Sequence, residues 1–291
     1  MTTTTRNHHH PPRRSSVTDD PWHVDRLDLD AYLTRLGVPA RPPSRAALDE
    51  LHEAHVRAFT FDNIDVLLDT HPGVDLDAVT AKFVGRGRGG YCFEHATLFA
   101  AALGRLGYHP ERRLGRVEAT RTHCVIAVTL DDHTLLADPG FGMSLLRPIP
   151  LEDGATDDHG GWAYQIRQVP VGAAGRGWAL HRRRGDHWEH MHTHDELPVH
   201  PADLVVGHHY TSTYPTSHFR HGLMITRFGD GQHTSVTHTS VTIRRPGQPT
   251  EHRALDPDEL PTLLHTLAVP LTDDEQTRLL TKVTELRAAT G

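Results

Sequence analysis

Arg86-Gly87-Arg88-Gly89-Gly90-Tyr91-Cys92-Phe93-Glu94-His95 is the stretch from which the rest of the chain can be read. Its glycines predict a tight turn. Behind it Leu98, Phe99, Ala102, Leu103 and Leu106 recur at helical spacing, and Gly107 is the natural stop. Cys92 therefore stands at the start of a helix, where free backbone N–H groups and a partial positive charge favour a thiolate. Such a setting can take a cysteine pKa from ~8.5 down to roughly 3.5–7.5. Cys92 is the candidate nucleophile.

Downstream, Arg121-Thr122-His123-Cys124-Val125-Ile126-Ala127-Val128 and Leu135-Leu136-Ala137-Asp138-Pro139-Gly140-Phe141-Gly142 read as two strands joined by the polar turn Asp131-Asp132-His133. His123 opens the first strand and Asp138 closes the second, so both lie toward one end of a hairpin. Period-2 alternation puts His123, Val125 and Ala127 on one face, and Cys124, Ile126 and Val128 on the other. Cys124 points away from His123 and is assigned to packing. Cys92, His123 and Asp138 follow one another as a cysteine-nucleophile triad does: the imidazole takes the thiol proton and the carboxylate holds the far ring nitrogen. Each residue alone has a bland explanation, as a small buried hydrophobe, a strand histidine or a turn residue. The ordered set behind a Gly-Gly approach points to chemistry.

The motifs together resemble the arylamine N-acetyltransferase family over residues 27–285. Arg88-Gly89-Gly90-Tyr91-Cys92-Phe93-Glu94 is similar to its nucleophile motif, and Thr122-His123 and Asp138-Pro139-Gly140-Phe141-Gly142 to those carrying its His and Asp. Leu29-Asp30-Ala31-Tyr32-Leu33-Thr34-Arg35-Leu36-Gly37 resembles its opening helix, and Phe61-Asp62-Asn63 its Phe-Glu-Asn turn. Thr211-Ser212-Thr213-Tyr214-Pro215-Thr216-Ser217-His218-Phe219 is similar to the entry of its last domain. The chain departs from the family in having Ala96 where an Asn is common, and Thr60 and Asp62 for a Pro and a Glu. It also has a short connection from Val117 to His123, which predicts a more open acceptor site.

The resemblance implies an α+β fold: a helical bundle (22–107) carrying the nucleophile, a central antiparallel β-barrel (108–205) carrying His123 and Asp138, and a C-terminal α/β lid (206–291). The Cys-His-Asp core is of the transglutaminase and papain type. It further implies ping-pong transfer of an acetyl group from acetyl-CoA, through acyl-Cys92, to an aromatic amine or hydrazine. Acetyl-CoA or another acyl-CoA is then a co-substrate, and no cofactor is tightly bound. Phe141 and Tyr91 are carried over as pocket residues, and Thr216 and Ser217 as residues meeting the pantetheine or nucleotide arm. Two other readings use the same triad: an amide synthase moving a longer or carrier-bound acyl chain to an aromatic amine, and a cysteine hydrolase. The acceptor separates them.

Composition sets the outer bounds. The chain has 291 residues and a net charge of -7 with dispersed Lys and Arg, against a nucleic-acid binder. No apolar run is long enough for a membrane span, the start has no secretory pattern, and two cysteines suit a reducing compartment, so the cytoplasm is expected. A homo-oligomer is left open. Residues 1–21 are Thr-, His-, Pro- and Arg-rich and are expected to be disordered. Ser44 is placed as the cap of a second helix through Leu48, Leu51 and His55. Beyond the barrel, strands are expected over 221–227 and 235–243, and helices over 258–267 and 272–288, the last with Thr272 and Glu275 as a capping box. Among 26 histidines, His192 and His194 share a strand face; no metal site is assigned, and a polar exposed face is expected there.

Overall fold

Capped helices with apolar faces build the first part of the chain. In the computed structural model, which describes residues 20–172 and 175–290, α1 (Leu29–Leu36) starts behind Asp28, whose carboxylate accepts from Ala31 N. α2 (Arg45–Ala58) is capped by Ser44 through Ala47 N and buries Leu48, Leu51, His52, His55 and Val56. The two-residue β1 (Phe61–Asp62) precedes α3 (Ile64–Leu67) and α4 (Leu76–Thr80), and α4 runs into a π-turn at Ala81–Gly85. α5 (Cys92–Arg105) begins at Cys92 and is buried from Cys92 to Leu103. A helix apolar on every side must be wrapped on every side, and α5 is the axle of the main core. Almost all of the tail expected at 1–21 lies outside the described residues.

The central strands are β2 (His109–Val117), β3 (Thr120–Leu130), β4 (His133–Ala137), β5 (Ile149–Pro150), β6 (Thr156–His159), β7 (Trp162–Val171), β8 (Gly175–Arg184) and β9 (His187–Asp195). They form one antiparallel sheet in the order β5-β4-β3-β2-β9-β8-β7-β6. The two edge strands are neighbours in sequence, so the sheet curls almost to closure as a barrel. The β3–β4 turn is Asp131-Asp132, both at positive φ (47° and 64°), the mirror-image geometry that matches strand twist. The short 117–123 connection is a tight turn at Glu118-Ala119, with Val117 paired to Thr120. β3 lies between two cores as its alternation requires. Cys124, Ile126 and Val128 pack with α5, while Val125 and Ala127 join Ile166 and Leu180 inside the barrel.

α6 (Pro201–Thr213) and α7 (His218–His221) lead to β10 (Met224–Gly229), β11 (Gln232–Thr237), β12 (Ser240–Arg244) and β13 (Glu251–Ala254), then α8 (Leu260–Thr266) and α9 (Asp273–Thr290). The strand expected from 221 starts at Met224, because His218–His221 is a helical turn. The strand expected over 235–243 is two strands reversing at 238–239, with Val236 paired to Val241. Leu260, Leu264, Leu279 and Val283 cover Ile225, Val236 and Val241. Thr272 and Glu275 make the expected capping box, at 2.9 and 3.2 Å. The edge of this sheet comes from far upstream: β1 pairs with β10 through Phe61↔Thr226 and Asp62↔Ile225. The fold is α+β, with helices, a barrel and an α/β C-terminal part in that order.

Candidate active site

The two glycines before Cys92 are small because other groups already occupy the space. A Cβ on Gly89 would lie 1.9 Å from Thr60 O, and one on Gly90 would lie 2.1 Å from Glu94 Oε2. Neither has positive φ; the turn glycine of the run is Gly87 (φ 70°), and Gly89 and Gly90 are where the backbone closely approaches its surroundings. Across the site, a Cβ on Gly140 would come within 2.9 Å of both Cys92 Cα and His95 Cβ. The segment after Asp138 therefore rides directly on the first turn of α5.

Cys92 Sγ is 3.4 Å from the carbonyl oxygen of Thr122, the residue before His123. Burial pushes the Cys92 thiol well up, opposed only in part by the backbone N–H groups of Phe93 and Cys124. This corrects the lowered pKa expected from the helix start: at 4% exposure, desolvation of the anion outweighs the partial charges of a few N–H groups. A thiolate here needs a cation formed beside it. Cys124 is also raised by burial, to about 12, as suits a packing thiol.

His123 Nε2 lies 3.1 Å from Asp138 Oδ2, and His192 Nε2 lies 2.9 Å from the same oxygen. All three residues are buried. Both imidazoles donate Nε2–H to one carboxylate oxygen. Burial alone would raise Asp138; His123 and then His192 outweigh it and hold the carboxyl well below the usual range. His192 is itself lowered to about 4 by burial, so it is a neutral donor near pH 7. His192 and His194 are 0% and 1% exposed, which overturns the exposed face expected for them. The strand pairing explains it: β9 sits beside β2, with His194 opposite Gly115, and Gly115 is opposite His123. Sequence showed that His192 and His194 share a face, but not that this face meets Asp138.

The three donor atoms of His123, Asp138 and His192 lie within 4.8 Å of one another, close enough for a metal ion. Two hydrogen bonds to Asp138 Oδ2 already join these groups, while Asp138 Oδ1 and His192 Nδ1 have no hydrogen-bond partner among the described residues.

A second buried cluster anchors the helix start. Glu94 takes Lys82 Nζ at 2.7 Å, His71 Nε2 at 3.2 Å and its own capping contact, Tyr91 N, at 3.0 Å. Burial would raise Glu94, but Lys82 and His71 outweigh it and hold the carboxyl far below its ordinary value. Lys82 also meets Asp65 at 2.8 Å, and Asp65 meets Arg88 at 2.7 Å. His95 continues the anchoring. Tyr32 OH donates to His55 Nδ1 (2.8 Å), His55 Nε2 to His95 Nδ1 (2.9 Å), and His95 Nε2 to Thr60 O (3.2 Å). This relay ties α1, α2 and α5 together without the Asn absent at Ala96, which is packed in the core at 1% exposure.

Cys92, His123 and Phe141 border one cleft of about 160 Å³, with Phe61, Phe219 and Met224 completing its apolar wall. The ring of Phe141 packs edge-on to His123, 5.0 Å between centroids. The other carried-over residues stand elsewhere. Tyr91 is buried behind the cleft, against Phe93 and Phe219, with its hydroxyl on His208. Ser217 is buried and donates to Thr211 O at 2.6 Å; Thr216 is exposed, and their neighbours His218 and Phe219 border the cleft instead.

Known proteins resemble the chain over most of its length. The family model described as N-acetyltransferase matches residues 45–274. An arylamine N-acetyltransferase of Mycolicibacterium smegmatis is 35% identical over 254 residues, covering 79% of this chain and 86% of its own. The crystal structure of the Nocardia farcinica arylamine N-acetyltransferase superposes with a TM-score of 0.85 at 33% identity, over 90% of this chain and 97% of that one. The Mycobacterium marinum arylamine N-acetyltransferase in complex with CoA superposes at 0.81 with 32% identity, over 89% and 99%.

Proposed function

The chain belongs to the arylamine N-acetyltransferase family and is an acyltransferase of that type, and from this premise we propose that it carries an acetyl group from acetyl-CoA to an aromatic amine or hydrazine on Cys92. The observation that carries the reading is the cleft shared by Cys92 and His123, with Asp138 behind the histidine.

With Nε2–H given to Asp138, His123 has Nδ1 free to act as base. It takes the Cys92 proton, and the imidazolium stabilises the thiolate that burial alone disfavours. Asp138 stays ionised and stabilises that cation. Sγ attacks the thioester carbonyl, the C–S bond to the coenzyme breaks, and His123 returns its proton to the departing thiolate. An aromatic amine is neutral at pH 7, so its lone pair attacks acyl-Cys92 directly. His123 receives the amine proton, the C–Sγ bond breaks, and the free amide and the thiolate–imidazolium pair remain. Backbone N–H groups at the start of α5 are the natural donors to the oxyanion.

A cleft of about 160 Å³ lies below the ~300–1,000 Å³ of sites for drug-sized ligands, which favours a short acyl group and a single ring over a long carrier-bound chain. A division at 22–107, 108–205 and 206–291 belongs to this reading, with the nucleophile from the first part and its base from the second. No helix among the described residues is long and apolar enough to cross a membrane, in keeping with a cytoplasmic acyl-CoA user.

Intact-protein mass after brief mixing with acetyl-CoA tests the proposal. One acetyl group should appear, vanish on adding an aminobenzoate or a hydrazine, and be missing in Cys92→Ala. Acetylation that survives Cys92→Ala would overturn the assignment.

A further inference from the structure

A second, larger cavity of about 640 Å³ lies between the barrel and the C-terminal sheet. Arg182, Arg183 and Arg184 at the end of β8 line one side, and Arg244 and Arg245 at the end of β12 line another. Five guanidinium groups thus border one space in a chain whose net charge is -7.

Three carboxylates stand nearby, Asp158 on the cavity wall with Glu189 and Glu251, against five guanidinium groups. Glu189 holds both Arg182 and Arg184, and Glu251 holds Arg245. Arg183 reaches the neutral oxygen of Gly185 at 3.3 Å, and Arg244 reaches Ser235 Oγ at 3.4 Å. Arg182 is 8% exposed, and its Nε has no hydrogen-bond partner among the described residues. Burial, then repulsion from Arg182 and Arg184, lowers Arg244 below its ordinary value. Crowded cations of this kind are stabilised when an anion accepts their N–H groups, and arginine forks match phosphate oxygens.

The remaining wall fits an aromatic group. Trp162 borders the cavity and is braced edge-on by Phe228, 5.2 Å between centroids. The volume falls in the ~300–1,000 Å³ range of small-molecule sites. Met143 also lines the cavity, while Gly140 and Phe141, three and two residues earlier, border the reaction cleft. One short segment therefore touches both spaces, and Gly142 O within it is pinned by His233 Nε2 at 2.6 Å and Thr226 Oγ1 at 2.8 Å.

We propose that this cavity binds a phosphate-bearing ligand of nucleotide size, with Arg182, Arg183 and Arg244 on the phosphate oxygens and Trp162 against the base. Two sources carry that chemistry: the nucleotide end of the acyl-CoA donor, which rests on the acyl-transfer reading, and a separate nucleotide, which does not.

Calorimetric titration with adenosine 3′,5′-bisphosphate tests the site without reference to activity. The full chain should bind it, more weakly at higher salt, and Arg183→Gln/Arg244→Gln should lose at least about tenfold in affinity, since two charge-assisted contacts to phosphate are removed. Arg183 is exposed and Arg244 half-buried, and a thermal melt of the variant checks that the fold is kept. Equal binding by both proteins, or binding by neither, overturns the proposal. Steady-state kinetics then identifies the source. A KM rise of about tenfold for acetyl-CoA, with none for acetyl-pantetheine, assigns the site to the donor's nucleotide end. Unchanged KM for both donors, alongside the lost bisphosphate binding, assigns it to a separate nucleotide. If no donor is used at all, the acyl-transfer reading fails and the calorimetry still decides the site.

Discussion

Two fully buried carboxylates stand on either side of Cys92, and what separates them is a permanent cation. Glu94 is held by an ammonium, with the His71 imidazole beside it, and belongs to a lattice of fixed charges with Lys82, Asp65 and Arg88. Asp138 is held by two imidazoles and, among the described residues, by no permanent cation. A lysine or arginine partner keeps its charge throughout any cycle near pH 7. An imidazole partner can be neutral at one step and charged at the next. The first arrangement is suited to fixing the helix start, the second to stabilising a charge that comes and goes. In the proposed mechanism Glu94 places the sulfur and Asp138 serves the proton.

The comparison is most exposed to Asp138→Asn. The amide offers N–H or C=O toward His123 and permits the wrong tautomer, so the acetylation rate should fall by up to ~10⁴-fold, as for the equivalent change in serine triads. The thermal melt should move little by comparison. A loss below tenfold would remove Asp138 from the chemistry. Glu94→Gln should do the opposite. Deleting one charge from a buried ion cluster costs ~3–5 kcal/mol, measured as urea unfolding free energy, while the protein still folded keeps most of its acetylation rate. A stable but inactive Glu94→Gln would mean the two carboxylates share one role.

Acid separates the regions further. His52, His95 and His192 are each lowered to about 4 by burial. Between pH 6.5 and 4 the unfolded chain takes up protons that the folded chain refuses, so stability is full above the unfolded value and falls as pH drops. Each ring contributes ~1.4 kcal/mol per pH unit across that window. Unfolding free energies at pH 7 and 5.5 should therefore differ by a few kcal/mol, before any loss from Glu94, whose depressed carboxyl matters only below its unfolded value near 4.5. A flat profile over that interval would contradict the buried neutral histidines. His192→Phe probes the same region at smaller cost. Losing one charge-assisted hydrogen bond worth ~1.5–3 kcal/mol should slow acetylation by about ten- to a hundredfold. His192→Gln, which keeps a donor, should recover part of it, whereas a purely steric role would not distinguish the two.

What was readable from sequence follows the range of the interactions. The Ser44 cap, the Thr272–Glu275 box, the Asp131-Asp132 turn and the two faces of β3 rest on contacts within a few residues, and all are present. The place of His192 depends on β9 meeting β2 across about seventy intervening residues, and no local pattern encodes that pairing. β1 is two residues long and pairs with a strand over 160 positions away, beyond any periodicity. The raised thiol of Cys92 was missed for a related reason. Helix-start polarity is a local property, while the desolvation that outweighs it comes from packing by α5, β3 and the Gly140 segment at once.

The smallest expected effect is also the sharpest control on the two thiols. Cys124 neighbours His123 in sequence and shares the core of α5, so proximity alone would make it a rival nucleophile. Its side chain, however, lies on the α5 face of β3 with Ile126 and Val128, away from the barrel interior that holds Val125 and Ala127. It is absent from the residues bordering the cleft. Its thiol, pushed up to about 12 by burial, is protonated near pH 7. Cys124→Ala removes one buried sulfur and leaves a small void, so ~1 kcal/mol of stability should go, in line with other single-atom truncations in cores. The acetylation rate should stay within about twofold, because the volume lost lies on the side of the strand that the proton path does not use. A loss comparable to that of Cys92→Ala would mean that β3 transmits packing to His123, and the division of the strand into a chemical and a structural face would have to be abandoned.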